Sequence, residues 1–370
     1  MIDTVKFDIA VKLTEAQIEQ VYWSEVKKTM KKGLVTCELF DQFDDTQPRL
    51  IYKYKEDDPE RAWLKLELSV PRYLHGSNVY ELKQVDVEPL FRKLRRYIAN
   101  MLQIPLSQVP HYNDWEVEKL HICKNFNVGP QLQDYLNLLS SIQKPGGYKT
   151  VPYWAADGNK LESVVYQRST KKNRSIHKFY DKRAEVDQKP AYPNKAQHQQ
   201  DAVGLLRYEV ELTYDEMRKY SSTRMAIELL TPQTAVKVLQ DGLNSIGLTK
   251  PIKHSSIRGM LDAINRTSLN VRTKSMLIAF LSELHLYGKG YCKKKYQKTT
   301  YYDNYNKLKE VLGMEEILFS EVDLPPLIVH KDSFKNKKVA PSAGELRKRP
   351  SNKLTNEIIT YFIPIQIQRR

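Results

Sequence analysis

Residues 205–212 read Leu-Leu-Arg-Tyr-Glu-Val-Glu-Leu, and this stretch is the clearest fold signal in the chain. Its alternate positions separate into an apolar set and a charged set. The apolar set comprises Leu206, Tyr208, Val210 and Leu212, and the charged set comprises Arg207, Glu209 and Glu211. A period of two is typical of a strand with one face on a core. The sequence therefore predicts a β-strand whose other face carries ionisable groups.

Similar patterns extend outward from this strand in both directions. Upstream, we predict further strands at 3–11, 62–70, 117–126, 163–168 and 175–182, the last two forming a hairpin. Helical spacing predicts helices at 13–30, 86–102 and 131–142, and the polar stretch 187–204 predicts a loop. From about residue 214 the pattern is helical, at 214–230, 233–245, 255–264 and 272–287.

The distribution of these elements predicts an α+β fold. Strands concentrate in an antiparallel-sheet domain over residues 1–215, and a mainly α-helical accessory domain follows over 216–330. Residues 331–370 form a basic C-terminal tail. No internal repeat is apparent in the sequence.

The charge balance points to a polyanionic partner. The 370 residues include 59 Lys and Arg against 44 Asp and Glu, a net charge of +15. Such a balance favours nucleic acid first and an anionic membrane surface second, while a basic enzyme remains open. No apolar run reaches 18 residues, and three scattered cysteines suggest no disulfide framework, so we expect a cytoplasmic protein without membrane contact. Walker, GxGxxG, HExxH and nucleophile-elbow motifs are missing, which argues against nucleotide-driven motors and common hydrolases.

Several predicted strands carry groups that could bind a metal. His121 and Cys123 share a face of the strand at 117–126, Glu209 and Glu211 lie on the charged face of 205–212, and Glu67 lies on the polar face of 62–70. If these strands are neighbours, an imidazole and carboxylates converge, a donor set that suits Mg²⁺ or Mn²⁺ better than zinc. Alternatively, these side chains are solvated or paired with lysines.

The predicted hairpin places two tyrosines among cations. Tyr166 and Tyr180 are candidate nucleophiles because nearby cations or a metal stabilise phenolate, and Lys182 is a candidate for that role. Basic residues of this region and its neighbouring strand are candidate DNA contacts: Arg168, Lys171, Lys172, Arg174, Lys178 and Arg207. The alternative is a hairpin with tyrosines in the core and lysines in water.

A second basic segment lies in the helical part. Residues 288–309 contain seven Lys against one Asp, with five tyrosines interleaved. Lysines neutralise phosphates and aromatic rings stack on bases, so this segment is a further candidate DNA surface. Its candidate contacts are Lys293, Lys294, Lys295 and Tyr296. A solvated charged helix is the alternative interpretation.

Five short segments, in order, resemble a known family. They are MIDTVK at 1–6, YLHGSNVYEL at 73–82, KLHICKNF at 119–126, HKFYDK at 177–182 and LRYEVE at 206–211. Together they are similar to the phage and plasmid replication initiation proteins of the gene II/gene X type, which nick one strand at an origin to start rolling-circle replication. The resemblance covers about residues 1–225.

The resemblance implies a nuclease-like sheet domain and assigns roles to particular residues. The tyrosine of the Tyr-Asp-Lys block falls on Tyr180, which is the preferred nucleophile, with Tyr166 as the second choice. The glutamate after Arg-Tyr falls on Glu209, a metal ligand. Where the family has Arg-Ile-Asp, this chain has Lys119-Leu-His121, so an imidazole replaces the usual carboxylate.

The implied activity is metal-dependent strand transfer. The tyrosine would form a 5′-phosphotyrosyl bond with Mg²⁺ or Mn²⁺ as cofactor and later rejoin the strand. Single- or double-stranded origin DNA is the expected partner, with a host helicase as a further partner. The alternative is a DNA- or RNA-binding replication regulator without catalysis, which the histidine at position 121 would favour.

Overall fold

The structure is a computed structural model in which residues 1–335 are described, with gaps. The gaps are residues 30–32, 42–45, 59–60, 143, 145, 170–173, 191–193, 251–255, 315–316, 318 and 320–321. The predicted basic tail at 331–370 lies outside the described residues from residue 336 onward.

A single antiparallel sheet organises the first two-thirds of the chain. Its strands are β1 (Ile2–Ile9), β2 (Glu25–Thr29), β3 (Leu34–Leu39), β4 (Arg49–Lys55), β5 (Ala62–Ser69), β6 (Glu116–Asn127), β7 (Lys149–Trp154), β8 (Leu161–Ser169), β9 (Arg174–Asp181) and β10 (Leu205–Thr213). They lie in the order β2-β3-β4-β5-β1-β6-β10-β9-β8-β7, and every neighbouring pair is antiparallel.

Helices fill the connections and make up the C-terminal part. In chain order they are α1 (Glu15–Gln20), α2 (Val70–His75), α3 (Val87–Met101), α4 (Leu132–Ser141), α5 (Lys182–Asp187), α6 (Lys195–Asp201), α7 (Tyr214–Met217), α8 (Ala226–Leu229), α9 (Pro232–Asn244), α10 (Ile257–Arg266), α11 (Val271–Lys295) and α12 (Lys298–Leu312). No helix in the described ranges is long and apolar enough to cross a bilayer.

The sheet consists of two halves with the same order of connections. In the first half, β1 is followed by a helix and four strands, and the last of these, β5, returns to pair with β1. In the second half, β6 is followed by a helix and the strands β7, β8 and β9, and after α5 and α6 the fourth strand, β10, returns to pair with β6. β1 and β6 pair antiparallel in the middle, so the two halves meet along their first strands.

One face of the sheet packs against helices. On this helix face, Phe7 of β1 contacts Phe91 of α3, with ring centroids 5.7 Å apart. In β10, Tyr208 faces α9 so closely that a Cβ at Gly242 would lie 1.9 Å from the tyrosine oxygen. Glycine is therefore needed at position 242 because α9 approaches the sheet directly. The opposite face, which carries His121, Tyr180 and Glu209, is called the site face below.

The last three helices share a separate apolar cluster. Helices α10, α11 and α12 contribute buried side chains such as Ile264, Phe280 and Leu308 to it. α11 bends at Gly288, whose φ of 77° lies in the left-handed region that favours glycine. The domain boundaries at 215/216 and 330/331 remain predictions.

The α+β prediction is confirmed, and the strand of residues 205–212 is β10. Helix 13–30 is wrong beyond Gln20, because residues 25–29 form strand β2. The loop at 187–204 contains the short helix α6, and the helix at 214–230 is two short helices, α7 and α8.

Candidate metal and tyrosine site

Three adjacent strands position the central side chains of the site. β10 lies between β6 and β9, with Glu211 opposite His121 of β6 and Arg207 opposite Tyr180 of β9. Because directly opposed residues of an antiparallel pair share a face, these side chains all lie on the site face. Glu209, between Arg207 and Glu211, lies on the same face by alternation.

One carboxylate, that of Glu209, contacts both the tyrosine and the histidine. The Tyr180 hydroxyl donates to Oε2 of Glu209 at 3.1 Å. The other oxygen of Glu209, Oε1, lies 2.9 Å from Nδ1 of His121. On the far side of the imidazole, Oε2 of Glu211 is 3.7 Å from Nε2. Glu209 is thus a shared partner of the phenol and the imidazole.

A residue that the sequence analysis did not single out completes the cluster. Asp3 of β1 supplies a carboxylate oxygen that lies within 4.8 Å of ligand atoms of both His121 and Glu209. The pairing of β1 with β6 shifts register between Ile2 and Val5, which inserts one extra residue in β1 beside His121. Such a bulge re-aims a side chain, and it accounts for a carboxylate at this point.

Arg207 is a buried cation of the site and not a surface contact. Its side chain has 0% exposure, which contradicts the prediction that it binds DNA directly. One guanidinium nitrogen, Nη2, donates to Oδ1 of Asp3 at 2.6 Å and to Sγ of Cys123 at 2.9 Å. The other, Nη1, donates to the carbonyl of Asn78. Cys123 is therefore engaged by Arg207 and is not a member of the metal-binding group.

The local charges shift the pKa values of these groups in opposite directions. Burial raises the pKa of Tyr180 well above its ordinary value, and the charge of Glu209 adds to this effect while Arg207 opposes it. Burial also works against ionisation of Asp3, but Arg207, Lys182, His121 and the Thr4 hydroxyl together outweigh it and lower the pKa of the carboxyl. Without a further cation, the phenol therefore stays protonated at neutral pH beside an ionised aspartate.

The donor set fits a hard divalent cation. Two carboxylates and one imidazole converge, which is the kind of oxygen-rich set that Mg²⁺ and Mn²⁺ accept. Among the described residues, the buried Nε2 of His121 has no hydrogen-bond partner. Asp3 is paired with Arg207 and Glu211 with Lys178, whereas Glu209 contacts the imidazole of His121 and the hydroxyl of Tyr180.

A pocket gives access to the tyrosine and its carboxylate partner. It has a volume of about 280 Å³ and is lined by Tyr180, Glu209, Lys178, Ser163 and Glu185, among others. Its lining contains several carboxylates, which would repel a phosphate unless a cation were also present. Tyr180 can therefore meet a ligand from this side of the sheet.

Lys182 lies beside the tyrosine but not on its strand. It begins α5 directly after β9, so the predicted strand at 175–182 ends one residue before it. Its ammonium lies 5.7 Å from the Tyr180 ring centroid and 2.6 Å from Oε2 of Glu185. Burial lowers the pKa of Lys182 to about 7. Despite its own burial, Glu185 has a pKa lowered to about 2 by Lys182 and Lys189.

Two of the predicted site residues lie away from this cluster. Tyr166 of β8 lies on the helix face, where its buried hydroxyl donates to the carbonyl of Leu139 in α4 at 2.6 Å. The sheet thus separates Tyr166 from Tyr180, and this corrects its assignment as an alternative nucleophile at the same site. Glu67 of β5 accepts from Lys119 at 3.3 Å and is not part of the group that includes His121.

The predicted DNA contacts are dispersed. Lys178 lines the pocket and forms an ion pair with Glu211. Arg168 forms an ion pair with Glu216 at 2.9 Å and stacks over Tyr148. Lys171 and Lys172 lie outside the described residues, and Arg174 begins β9 with a side chain that is also outside the description.

The basic cluster of the helical part lies at the end of α11. Lys293, Lys294 and Lys295 form its last residues, and Tyr296 follows as the C-cap. Lys295 forms an ion pair with Glu283 at 2.5 Å, and the hydroxyl of Tyr296 donates to the same carboxylate at 3.0 Å. Part of this positive charge is therefore neutralised within the helix.

No protein-family model matches the chain, and no curated protein sequence matches it. A solved structure described as "Structure of Rolling Circle Replication Initiator Protein from Geobacillus stearothermophilus" is similar to it, with a TM-score of 0.33 and 12% sequence identity. The similarity covers 65% of this chain and 83% of that chain.

Proposed function

We propose that this protein is a replication initiator that nicks one DNA strand through Tyr180 with the help of a divalent cation. The observation that carries the proposal is the chain of contacts from Tyr180 through Glu209 to His121, with Asp3 completing the group. It is also supported by the sequence resemblance to gene II/gene X proteins, which covers all four residues. Asp3, His121 and Glu209 would hold Mg²⁺ or Mn²⁺.

Each side chain has a specific part in the proposed reaction. The hydroxyl oxygen of Tyr180 attacks the phosphorus of the scissile phosphodiester, and its proton passes to Oε2 of Glu209, which lies 3.1 Å away. The new bond joins phosphorus to the phenolic oxygen, while the bond from phosphorus to O3′ breaks. The released O3′ takes a proton from water and becomes the 3′-hydroxyl primer. Attack by a 3′-hydroxyl on the phosphotyrosine reverses these changes and rejoins the strand.

The cation would stabilise negative charge on the phosphodiester. When bound, it would polarise the phosphodiester and lower the energy of the developing negative charge. The chain itself contributes orientation: Arg207 holds Asp3 at 2.6 Å, and His121 holds Glu209 at 2.9 Å. Lys182, whose pKa is about 7, can supply positive charge near the ring of Tyr180 below that pH.

The proposal is tested by trapping the covalent intermediate. The purified protein is incubated with 5′-labelled and 3′-labelled single-stranded DNA from the sequence flanking its gene, with Mn²⁺ or with EDTA. We expect a protein–DNA adduct that is stable in denaturant, forms only with the metal and carries label from the 3′ side of the nick. Tyr180→Phe abolishes the adduct, whereas Tyr166→Phe retains it.

The alternative of a non-catalytic regulator gives a different outcome in the same assay. It predicts salt-sensitive DNA binding that is the same with Mn²⁺ and EDTA, and no adduct with the wild type. An adduct that survives in Tyr180→Phe but disappears in Tyr166→Phe would refute the assignment of the nucleophile.

A further inference from the structure

An exposed tyrosine on the edge of the sheet lies in line with Tyr180. Tyr153 of β7 pairs with Ser163 of β8, which pairs with Tyr180 of β9. Residues that are paired across antiparallel strands share a face, so Tyr153 lies on the site face. β7 is two strands away from β9, which corresponds to about 10 Å.

The other features of β7 distinguish its two faces. Tyr153 is 51% exposed, and exposed Lys149, four residues earlier, lies on the same face by alternation. The next residue, Trp154, is 55% exposed but lies on the opposite face, where Thr150 donates to the carbonyl of Ile142. The site face of this edge strand therefore presents an aromatic ring and a cation beside the pocket.

We propose that Tyr153 and Lys149 bind single-stranded DNA next to the scissile phosphate. The ring of Tyr153 stacks on a base of a neighbouring nucleotide, and the ammonium of Lys149 contacts a backbone phosphate. Aromatic stacking with a nearby cation is the physical basis of sequence-tolerant binding to single strands. The arrangement selects unpaired DNA because the bases of a duplex are stacked on one another and have no free face. This inference rests on the proposed function, since it assumes that the DNA strand crosses the sheet at Tyr180.

The test measures binding separately from cleavage. All variants are made in the Tyr180→Phe background, and binding of a short fluorescein-labelled single-stranded oligodeoxynucleotide is followed by anisotropy with Mn²⁺ present. Tyr153→Ala is expected to weaken binding about 5- to 150-fold, and Tyr153→Trp to preserve it. Lys149→Ala is expected to reduce the slope of log affinity against log salt by about 0.7. Unlabelled duplex of the same sequence should compete poorly.

Trp154→Ala is the matched control because it removes an equally exposed ring from the other face. Equal affinities for Tyr153→Ala and its parent would overturn the inference, as would equal losses in Tyr153→Ala and Trp154→Ala. Thermal melting of each variant checks that it is folded. The adduct assay with the wild type distinguishes failure of the nicking proposal from failure of this inference. If Tyr153→Ala loses binding but the wild type forms no adduct, the DNA-binding role of Tyr153 stands and the nicking by Tyr180 is refuted.

Discussion

Replacing Arg207 by methionine tests whether the buried ion pair of the site holds its geometry. The substitution keeps an unbranched apolar side chain but removes the donors to Asp3, Asn78 and Cys123. The carboxylate of Asp3 then remains buried, with the hydroxyl of Thr4 at 3.1 Å as a remaining donor. Removing one partner of a buried ion pair typically costs about 3–5 kcal/mol. We expect a loss of that size in the free energy of unfolding, measured by urea denaturation at pH 7.

A double-mutant cycle isolates the contribution of the pair. Asp3→Asn removes the charge that Arg207 neutralises, so the double variant should lose less than the sum of the single variants, by about 1–3 kcal/mol. Arg92→Met is a suitable control, because Arg92 and its partner Glu88 are both more than half exposed and form a surface pair. It should cost less than about 1 kcal/mol. Additivity of Asp3→Asn and Arg207→Met within about 0.5 kcal/mol would refute the pairing.

The same pair has a defined pH dependence. The pKa of Asp3 in the folded protein is lower than its ordinary value of 3.8, so its stabilising effect is fully present above that pH. The stabilising effect is lost as the pH falls through the lowered pKa, because the Asp3 carboxyl is then protonated in the folded and in the unfolded protein. The destabilisation of Arg207→Met should therefore shrink in strongly acidic buffer, and a constant difference between the variants would argue against this account.

Three further predictions concern packing, pH and metal binding. Gly242→Ala should destabilise the fold by about 1–3 kcal/mol in urea denaturation, since the new Cβ would clash with the Tyr208 hydroxyl. The loss should be smaller in a Tyr208→Phe background, which lacks that hydroxyl. Equal losses in the two backgrounds would contradict this explanation. Burial holds the pKa of His177 well below 6.5. The free energy of unfolding should therefore fall as the pH drops below 6.5, by at most about 1.4 kcal/mol per pH unit. If the free energy of unfolding of His177→Asn falls as steeply with pH as that of the wild type, the effect belongs to another group. Mn²⁺ at 100 times its dissociation constant should stabilise the wild type by about 2.7 kcal/mol. Glu209→Gln should lose this stabilisation, and Glu67→Gln should keep it. Stabilisation of Glu209→Gln by Mn²⁺ would place the metal elsewhere.

Strand alternation was sufficient to predict the central part of the fold. The strands containing His121, Tyr180 and Glu209 were placed correctly because each has one apolar and one polar face. Residues 25–29 were assigned to a helix since their spacing also suits a period of 3.6, and only pairing with β3 makes them a strand. Short apolar runs are ambiguous in this respect, and tertiary pairing decides between the two.

The composition of the site could be predicted only within single strands. Sequence reveals that Glu209 and Glu211 share a face, but not which strands lie beside them. Asp3 was missed because its role depends on the pairing of β1 with β6 and on a bulge at that point. The sequence predicts Arg207 as a DNA contact because it lies on the polar face of its strand, whereas the fold buries the whole guanidinium. Tyr166 was kept as a candidate because alternation does not tell which face of β8 meets the helices.

The meeting of the two five-stranded halves along β1 and β6 makes the candidate site a shared property of both. Asp3 comes from the first half, whereas His121, Tyr180 and Glu209 come from the second. A polypeptide cut within residues 102–115 would yield two fragments, and neither would contain all the candidate metal ligands. The proposed nicking activity, measured on a mixture of such fragments, would then report on their reassembly, so this chain is suited to split-protein complementation.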